Sequence, residues 1–381
     1  MSHLQPRGPL VPNFQLRPLV LINGDPVPAT SWSVDIHSFS MASRLEATIL
    51  ATKTPGFKAL PDYGAVMAAN TKLPFEIQCG YSQDGRASNF RLESGIVDER
   101  ESSSDEREQS IRFTGRSTAS LFQDLQITKP IDHNRAGSAI IADLFAKQKV
   151  PLEIRDSSPT SRAYVGRTSG DPIFNTTATS HTEWDLMAAI ATTDGLRLSV
   201  HNGKGTYGTA DGDPTLGLNW KTGLASRGGG FLVGYRLRHS PRRSHNIKVI
   251  VRSHLHKGKT LARGVYGNAA ADRSETFLFD IEGGKNTQQC KARAQAIFYD
   301  LARREYLVTF VVVPDETLMR TIAERGANFS IILGGEVPKS EQRTYGVRHV
   351  ALGFNVDGKP PLTATILAGN LNPSNEGAEL A

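Results

Sequence analysis

Cysteine is almost missing from this chain. Its 381 residues hold two, Cys79 and Cys290, far apart and without metal-ligand spacing. No disulfide scaffold is implied, and two buried free thiols are expected. Also missing is any stretch of roughly 18 uncharged apolar residues, the length a helix needs to cross a bilayer. The first twelve residues carry three prolines and no apolar core, so they do not read as a signal peptide. Leu-rich helical runs are scarce, whereas glycine (35) and proline (20) are plentiful. That balance points to a β-rich chain with many turns.

Enough remains for sizeable cores. Apolar residues make up 39% and charged residues 22%, a globular composition of two to four domains at roughly 100–200 residues each. The net charge of +6 permits a nucleic-acid or acidic partner without demanding one.

Strand periodicity dominates the first part. Arg17–Ile22 ends at Asn23-Gly24, a hairpin turn signal. Ser31–Ile36, Arg44–Leu50 and Leu73–Cys79 alternate apolar with polar residues. Gly95–Val97 and Gln109–Phe113 complete the set, with a polar loop expected over Asp98–Glu108. Helices are expected over Ser117–Leu125, Ala136–Lys149 and Glu183–Thr193, the last behind a Ser180/Glu183 capping box. A strand over Leu196–Val200 comes next. The glycine-rich run Lys221–Gly230 reads as a boundary. Beyond it come strands over Phe231–Leu237, Ile247–Val251 and Phe277–Ile281, and a helix over Thr287–Arg304. Tyr306–Val313 is apolar enough to be buried on both faces; strands over Phe329–Leu333, Val347–Phe354 and Leu362–Leu367 finish the chain.

The two β regions look alike. Each has an F-x-I-x strand (Phe75, Phe329), a polar glycine-bearing loop, a glycine-led strand (Gly95, Gly346) and a final apolar strand. An internal duplication, each copy interrupted by an α-containing insert, accounts for this.

Candidate chemistry is thin. Gly203-Lys204-Gly205-Thr206-Tyr207-Gly208 matches G-x-G-x-x-G, but the next residues start no helix to receive phosphates, so a hairpin loop is expected. His254-x-His256 lies in a stretch with His239 and His245, yet no Cys, Asp or Glu between Leu232 and Gly264 completes a metal shell. In the same stretch Arg236, Arg238, Arg242, Arg243, Lys248, Arg252, Lys257, Lys259 and Arg263 form the strongest charge signal. They form an interface to phosphates or to an acidic protein face, or else a solvated strand pair balanced by acids from elsewhere. Only Tyr235 and Tyr266 flank them, which argues against base stacking. The acids Asp98, Glu99, Glu101, Asp105, Glu106 and Glu108 would serve a glycosidase only if one were buried enough to raise its pKa. G-x-S-x-G, P-loop and H-E-x-x-H motifs are absent. No catalytic, cofactor or metal residue is assigned.

Taken in order, these segments resemble a known family. Gln109–Leu125 is similar to a strand and helix carrying G-R-x-x-x-x-L-x-D, here Gly115, Arg116, Leu121 or Phe122, and Asp124. Ser180–Val200, a capped helix, Asp194-Gly195-Leu196 and a strand, is a second match. The order of insert, Ala-rich helix, strand and β region over Phe277–Leu367 is a third. The family is the baseplate hub of Mu-like and T4-like contractile phages, late control protein D, related to the hub half of type VI secretion spike proteins.

That resemblance implies an α+β, β-rich chain with two tube-type antiparallel β-barrel domains. The first spans 1–116, an α/β insert 117–222, the second barrel 223–262 and 306–372, a small αβ insert 263–305 and a polar tail 373–381. It implies a non-enzymatic virion structural protein assembled in the host cytoplasm. A homotrimer of pseudo-sixfold symmetry would join the hexameric tail tube, or a tube-initiator protein, to the trimeric spike. DNA would pass through its channel as cargo, and tape measure and baseplate wedge proteins are further candidate partners. With only a short tail at the C-terminus, the spike is expected to be a separate polypeptide. The rivals are a peptidoglycan-degrading tail enzyme and a nucleic-acid binder using 236–263.

Overall fold

A computed structural model describes residues 15–39, 41–50, 72–83, 86–104, 109–127, 136–155, 182–194, 196–209, 213–220, 229–240, 247–254, 260–269, 271, 275–281, 286–371 and 378–380. The chain is β-rich α+β, organised on antiparallel sheet.

Strands β1 (Gln15–Ile22) and β2 (Asp25–Val27) form a hairpin. Its turn residues Asn23 and Gly24 have φ of 55° and 82°, the left-handed pair that a type I′ turn demands. After β3 (Ala29–His37), β4 (Arg44–Leu50) and β5 (Pro74–Gln83) comes a long hairpin of β6 (Arg86–Ser104) and β7 (Gln109–Ser117). Here the expected polar loop is corrected. Glu99–Ser104 stays in ladder with Thr114–Gln109; the buried side chains here, Ile111 and Phe113, belong to β7, so β6 needs no apolar alternation of its own.

An α/β insert comes next: α1 (Ser120–Gln123), α2 (Gly137–Lys147), β8 (Leu152–Arg155), α3 (Glu183–Asp194), β9 (Arg197–His201) and β10 (Lys204–Gly208). Its own core packs Phe122 against Phe145 and Trp184, with ring centroids 4.7 and 6.4 Å apart. The cap of α3 is Thr182, whose Oγ1 accepts from Asp185 N at 3.1 Å while Asp185 Oδ2 accepts from Thr182 N at 3.0 Å. The box thus lies two residues beyond the one read from Ser180, which is outside the described residues. Glu183, buried, instead accepts from Lys147 and Gln148 of the α2 end.

The strands β11 (Thr215–Trp220) and β12 (Phe231–His239) return to the main sheet. A separate sheet holds β13 (Lys248–His254), β14 (Thr260–Gly267), β15 (Thr276–Ile281) and the terminal β20 (Ala378–Leu380), packed on α4 (Thr287–Ala302). Completing the main sheet are β16 (Tyr306–Val313), β17 (Ser330–Gly335), β18 (Thr344–Asn355) and β19 (Leu362–Asn370), with α5 (Glu316–Arg325) between β16 and β17.

These pairings move three expected boundaries. β11, placed in the insert, pairs with β17. β13, placed in the second β region, pairs with β14 and β15. Ala378–Leu380, expected in a polar tail, pairs with β14. Periodicity finds a strand but does not name its partner. One burial expectation also changes: β16 buries Tyr306, Val308, Phe310 and Val312 but leaves alternate residues half-buried.

The main sheet contains one ladder order twice. The N-terminal set runs β1-β5-β6-β7-β4-β3, the C-terminal set β11-β17-β18-β19-β16-β12. Register irregularities recur at matching places: between Val97/Glu99 and Val347/His349, and between Ala29/Ser31 and Leu232/Gly234. Val97 N donates to Leu73 O at 2.9 Å, and its counterpart Val347 N to Phe329 O at 3.0 Å. One pair departs: β1–β5 is antiparallel and β11–β17 parallel. The shared order and shared bulges are what an internal duplication leaves behind.

The sets are fused by an antiparallel ladder of β3 with β18, from His349↔His37 to Asn355↔Ser31. Trp32 stacks on Phe354 across this seam at 5.9 Å, and His37 on His349 at 4.6 Å. Both sets share one apolar core.

Candidate functional site

The tightest polar constellation lies where β6, the β9–β10 turn and α5 meet. Glu93 on β6 is fully buried. Its Oε1 accepts from the backbone N–H of Ser94 (3.0 Å) and Asn202 (2.8 Å), and Oε2 lies 3.0 Å from His201 Nδ1. On the far side of the ring, Nε2 is 3.0 Å from the Ala323 carbonyl of α5. Asn202 Nδ2 donates to the carbonyls of Arg91 (2.7 Å) and Ala323 (2.8 Å). Acceptors face both ring nitrogens, with Asn202 Nδ2 also 3.2 Å from Nε2, a setting that favours the imidazolium beside the Glu93 carboxylate. Burial pulls its pKa down, but the Glu93 charge, their hydrogen bond and the α5 carbonyls outweigh burial and hold it above the ordinary histidine value. This is a structural joint tying the insert to both strand sets.

The glycine motif beside it is a turn and a packing device. Asn202 and Gly203, with φ of 50° and 73°, make the hairpin between β9 and β10. A Cβ on Gly205 would sit 2.1 Å from Cε1 of the buried Phe145. Gly205→Ala should therefore cost about 1–3 kcal/mol by overpacking, seen as a lower denaturant midpoint; an unchanged midpoint would contradict this packing role.

The G-R-x-x-x-x-L-x-D segment also has a physical account. A Cβ on Gly115 would meet Ile96 O at 2.4 Å. Arg116 Nε donates to Asp98 Oδ2 at 2.7 Å, and Nη1 to Asp124 Oδ1 at 3.1 Å. The buried apolar member is Phe122; Leu121 is half-buried.

A polar cleft of about 360 Å³ opens beside the joint, lined by Glu153, Arg155, Lys204, His201, Arg325 and others. Of its carboxylates Glu153 and Glu324, Glu153 accepts from Arg155 and Lys204, each at 2.6 Å, and these bonds hold it at about 2. A group so firmly ionised is no general acid.

The basic stretch does not form one patch. Arg236 and Arg238 are exposed on β12; Lys248, Arg252 and Arg263 belong to the separate sheet. Arg252 is balanced by Asp280 of β15, with Nε–Oδ1 at 2.9 Å. Arg242, Arg243, Lys257 and Lys259 lie outside the described residues, as do His245, His256 and the His254 side chain. His239 stacks on Tyr306 at 4.2 Å. No His/Cys/Asp/Glu cluster among the described residues could hold a metal, and no helix among them is long and apolar enough to cross a membrane. Both cysteines are buried and neither forms a disulfide.

Several strand flanks carry no ladder among the described residues, and those of β12 and β6 carry runs of charge. β12 pairs only with β16. β6 pairs with β5 through Ile96 and from there runs on with β7 alone. Exposed Arg236 and Arg238 line the first; exposed Asp98, Glu99 and Glu101 line the second. Both charge runs are visible in the sequence, which carries no signal for Glu93, His201 or Asn202 beyond the Asn-Gly turn.

Several solved structures share this fold. The tail protein from Neisseria meningitidis MC58 matches at TM-score 0.63 and 11% identity, over 93% of this chain and 96% of that one. The 43 kDa tail protein of prophage MuSo2 from Shewanella oneidensis matches at 0.63 and 12%, over 93% and 98%. The chain has the phage-tail-protein fold. The same fold matches an E. coli type VI secretion component described as similar to bacteriophage T4 tail proteins, at 0.51 and 10% over 95% and 79%. No family model and no curated protein matches by sequence.

Proposed function

We propose that the chain is the structural hub of a contractile phage tail baseplate, a homotrimeric ring without a chemical step. The observation that carries this is the ladder order present twice in one chain, with its bulges at matching positions. Three such chains offer six similar strand sets, a pseudo-sixfold surface for a hexameric tube on one side and a threefold surface for a spike on the other. Each set closes into a tube-type barrel in this reading; β1 lying beside β3 and β11 beside β12 supports it. The domains then track the pairings: a first barrel through β7, an insert from α1 to β10, a second barrel of β11, β12 and β16–β19, and a small unit of β13–β15, α4 and β20. The spike and tube are its partners, with tape measure and wedge proteins beyond them, DNA is cargo in the channel, and the place of action is the virion.

Rings of this kind usually bury more than about 2,000 Å² per interface. Sedimentation of the purified chain should give a species of three times the chain mass, and with its spike a complex that holds three copies of the chain. A monomer at micromolar concentration that stays monomeric with the spike would overturn the reading.

A further inference from the structure

The seam inside the chain is a template for the seam between chains. Within one chain, β3 lies along the flank of β18 that β17 leaves after Gly346. In the duplicated sets β12 is the counterpart of β3, and β6 the counterpart of β18. Both counterparts have the corresponding flank unpaired among the described residues. We infer that β12 of one copy pairs antiparallel with the outer flank of β6 in the next copy, in the register that β3 and β18 use. This rests on the ring reading above and assigns the contact that builds the ring.

The shared bulges fix that register. Matching Val347/His349 to Val97/Glu99 makes Ala351 the counterpart of Glu101. Matching Ala29/Ser31 to Leu232/Gly234 makes Asp35 the counterpart of Arg238. Ala351 faces Asp35 within the chain; between copies, therefore, Glu101 faces Arg238. Two residues along, Ser103 faces Arg236 as Gly353 faces Ser33. Glu99 falls opposite Ser240 and diagonal to Arg238.

Charge supports the match. Along one face of the new ladder, Glu99, Glu101 and Ser103 meet Ser240, Arg238 and Arg236, so acids oppose bases at neighbouring and diagonal positions. Glu101 is 73% exposed, and its ion pair within the chain is a long one, 4.0 Å to Arg112. The β12 edge runs on through Phe231 and Val233, exposed at 61% and 46%, an uncovered apolar strand end of the kind that invites pairing. The contact is heterologous: each copy gives one flank and receives the other, as a closed ring requires. It differs from the internal seam in chemistry. Trp32/Phe354 stacking makes that one permanent, whereas charge makes this one assembled on demand and weakened by salt.

Two experiments on the full-length protein test it. Glu101→Arg and Arg238→Glu should each weaken self-association at least about tenfold, since like charges then face each other, and the two changes together should restore it. Because a reversed charge could act through folding, cysteine pairing gives a second readout. Mixing Ser103→Cys chains with Arg236→Cys chains under mild oxidation should give a covalent dimer that neither gives alone, as facing strand Cα atoms lie about 4.5–5.5 Å apart, within disulfide reach. A wild-type ring with no mixed dimer and no rescue overturns the pairing and leaves the hub reading intact. Wild-type protein that never forms a ring, with or without spike, overturns both.

Discussion

Replacing His201 with alanine is expected to destabilise the chain by about 3–5 kcal/mol, the cost of leaving a buried carboxylate without its partner. Glu93 is enclosed on β6 and reaches His201 108 positions away. Removing the imidazole strips Oε2 of its bond and leaves the Ala323 carbonyl of α5 with the Asn202 amide alone. The effect should depend on pH, and its direction comes from the raised pKa of His201. A group whose folded pKa exceeds its unfolded value adds its full stability below the unfolded value, about 6.5. That contribution fades as pH rises through the folded pKa. The gap between wild type and His201→Ala should thus be widest near about pH 6 and narrow towards alkaline pH. Glu93→Gln retains hydrogen-bonding atoms and removes the charge, so its loss should be smaller. Chemical denaturation across pH measures all three proteins; a gap that widened with pH would contradict the imidazolium assignment.

Trp32→Ala should cost a similar amount, about 3–5 kcal/mol for an emptied aromatic site, but with a different signature. Trp32 is buried at the β3–β18 seam and stacks on Phe354. Its loss opens a cavity between the two strand sets, and Trp32→Phe should recover part of the loss by refilling the ring plane. Amide exchange should quicken along Ser31–His37 and His349–Asn355 before it does so in β12–β16. Uniform acceleration over the whole sheet would mean the seam has no identity of its own, and the template for the contact between copies would lose its basis.

Much of this architecture is legible in the residues. Alternation of Trp32, Val34 and Ile36 and of Leu45, Ala47 and Ile49 marks β3 and β4, because one face of each is buried. Asn23-Gly24 marks the first hairpin. Gly203–Gly208 is separable from a phosphate loop because Thr209–Pro214 starts no helix. Other features are hidden for physical reasons. Asp98–Ser104 has no apolar face to mark it as a strand, since that part of β6 is held by its ladder to β7. The partner of β13 depends on a chain reversal that no local pattern encodes. The joint of Glu93, His201 and Asn202 joins segments with no sequence relation, and a lone glutamate among strand residues reads as surface. The charged runs are visible, but only the ladder order shows that one edge is acidic, the other basic, and that each is the counterpart of a strand already paired.

In the proposed hub, one internal seam is repeated, with different side chains, between copies. An electron-microscopy map of the purified ring at side-chain resolution tests this most directly. The expected map has six strand sets about one axis, with β3–β18 ladders alternating with β12–β6 ladders and Glu101 beside Arg238 of the neighbouring copy. A ring in which β12 and the outer flank of β6 face solvent, or in which copies meet through any other surface, would contradict it.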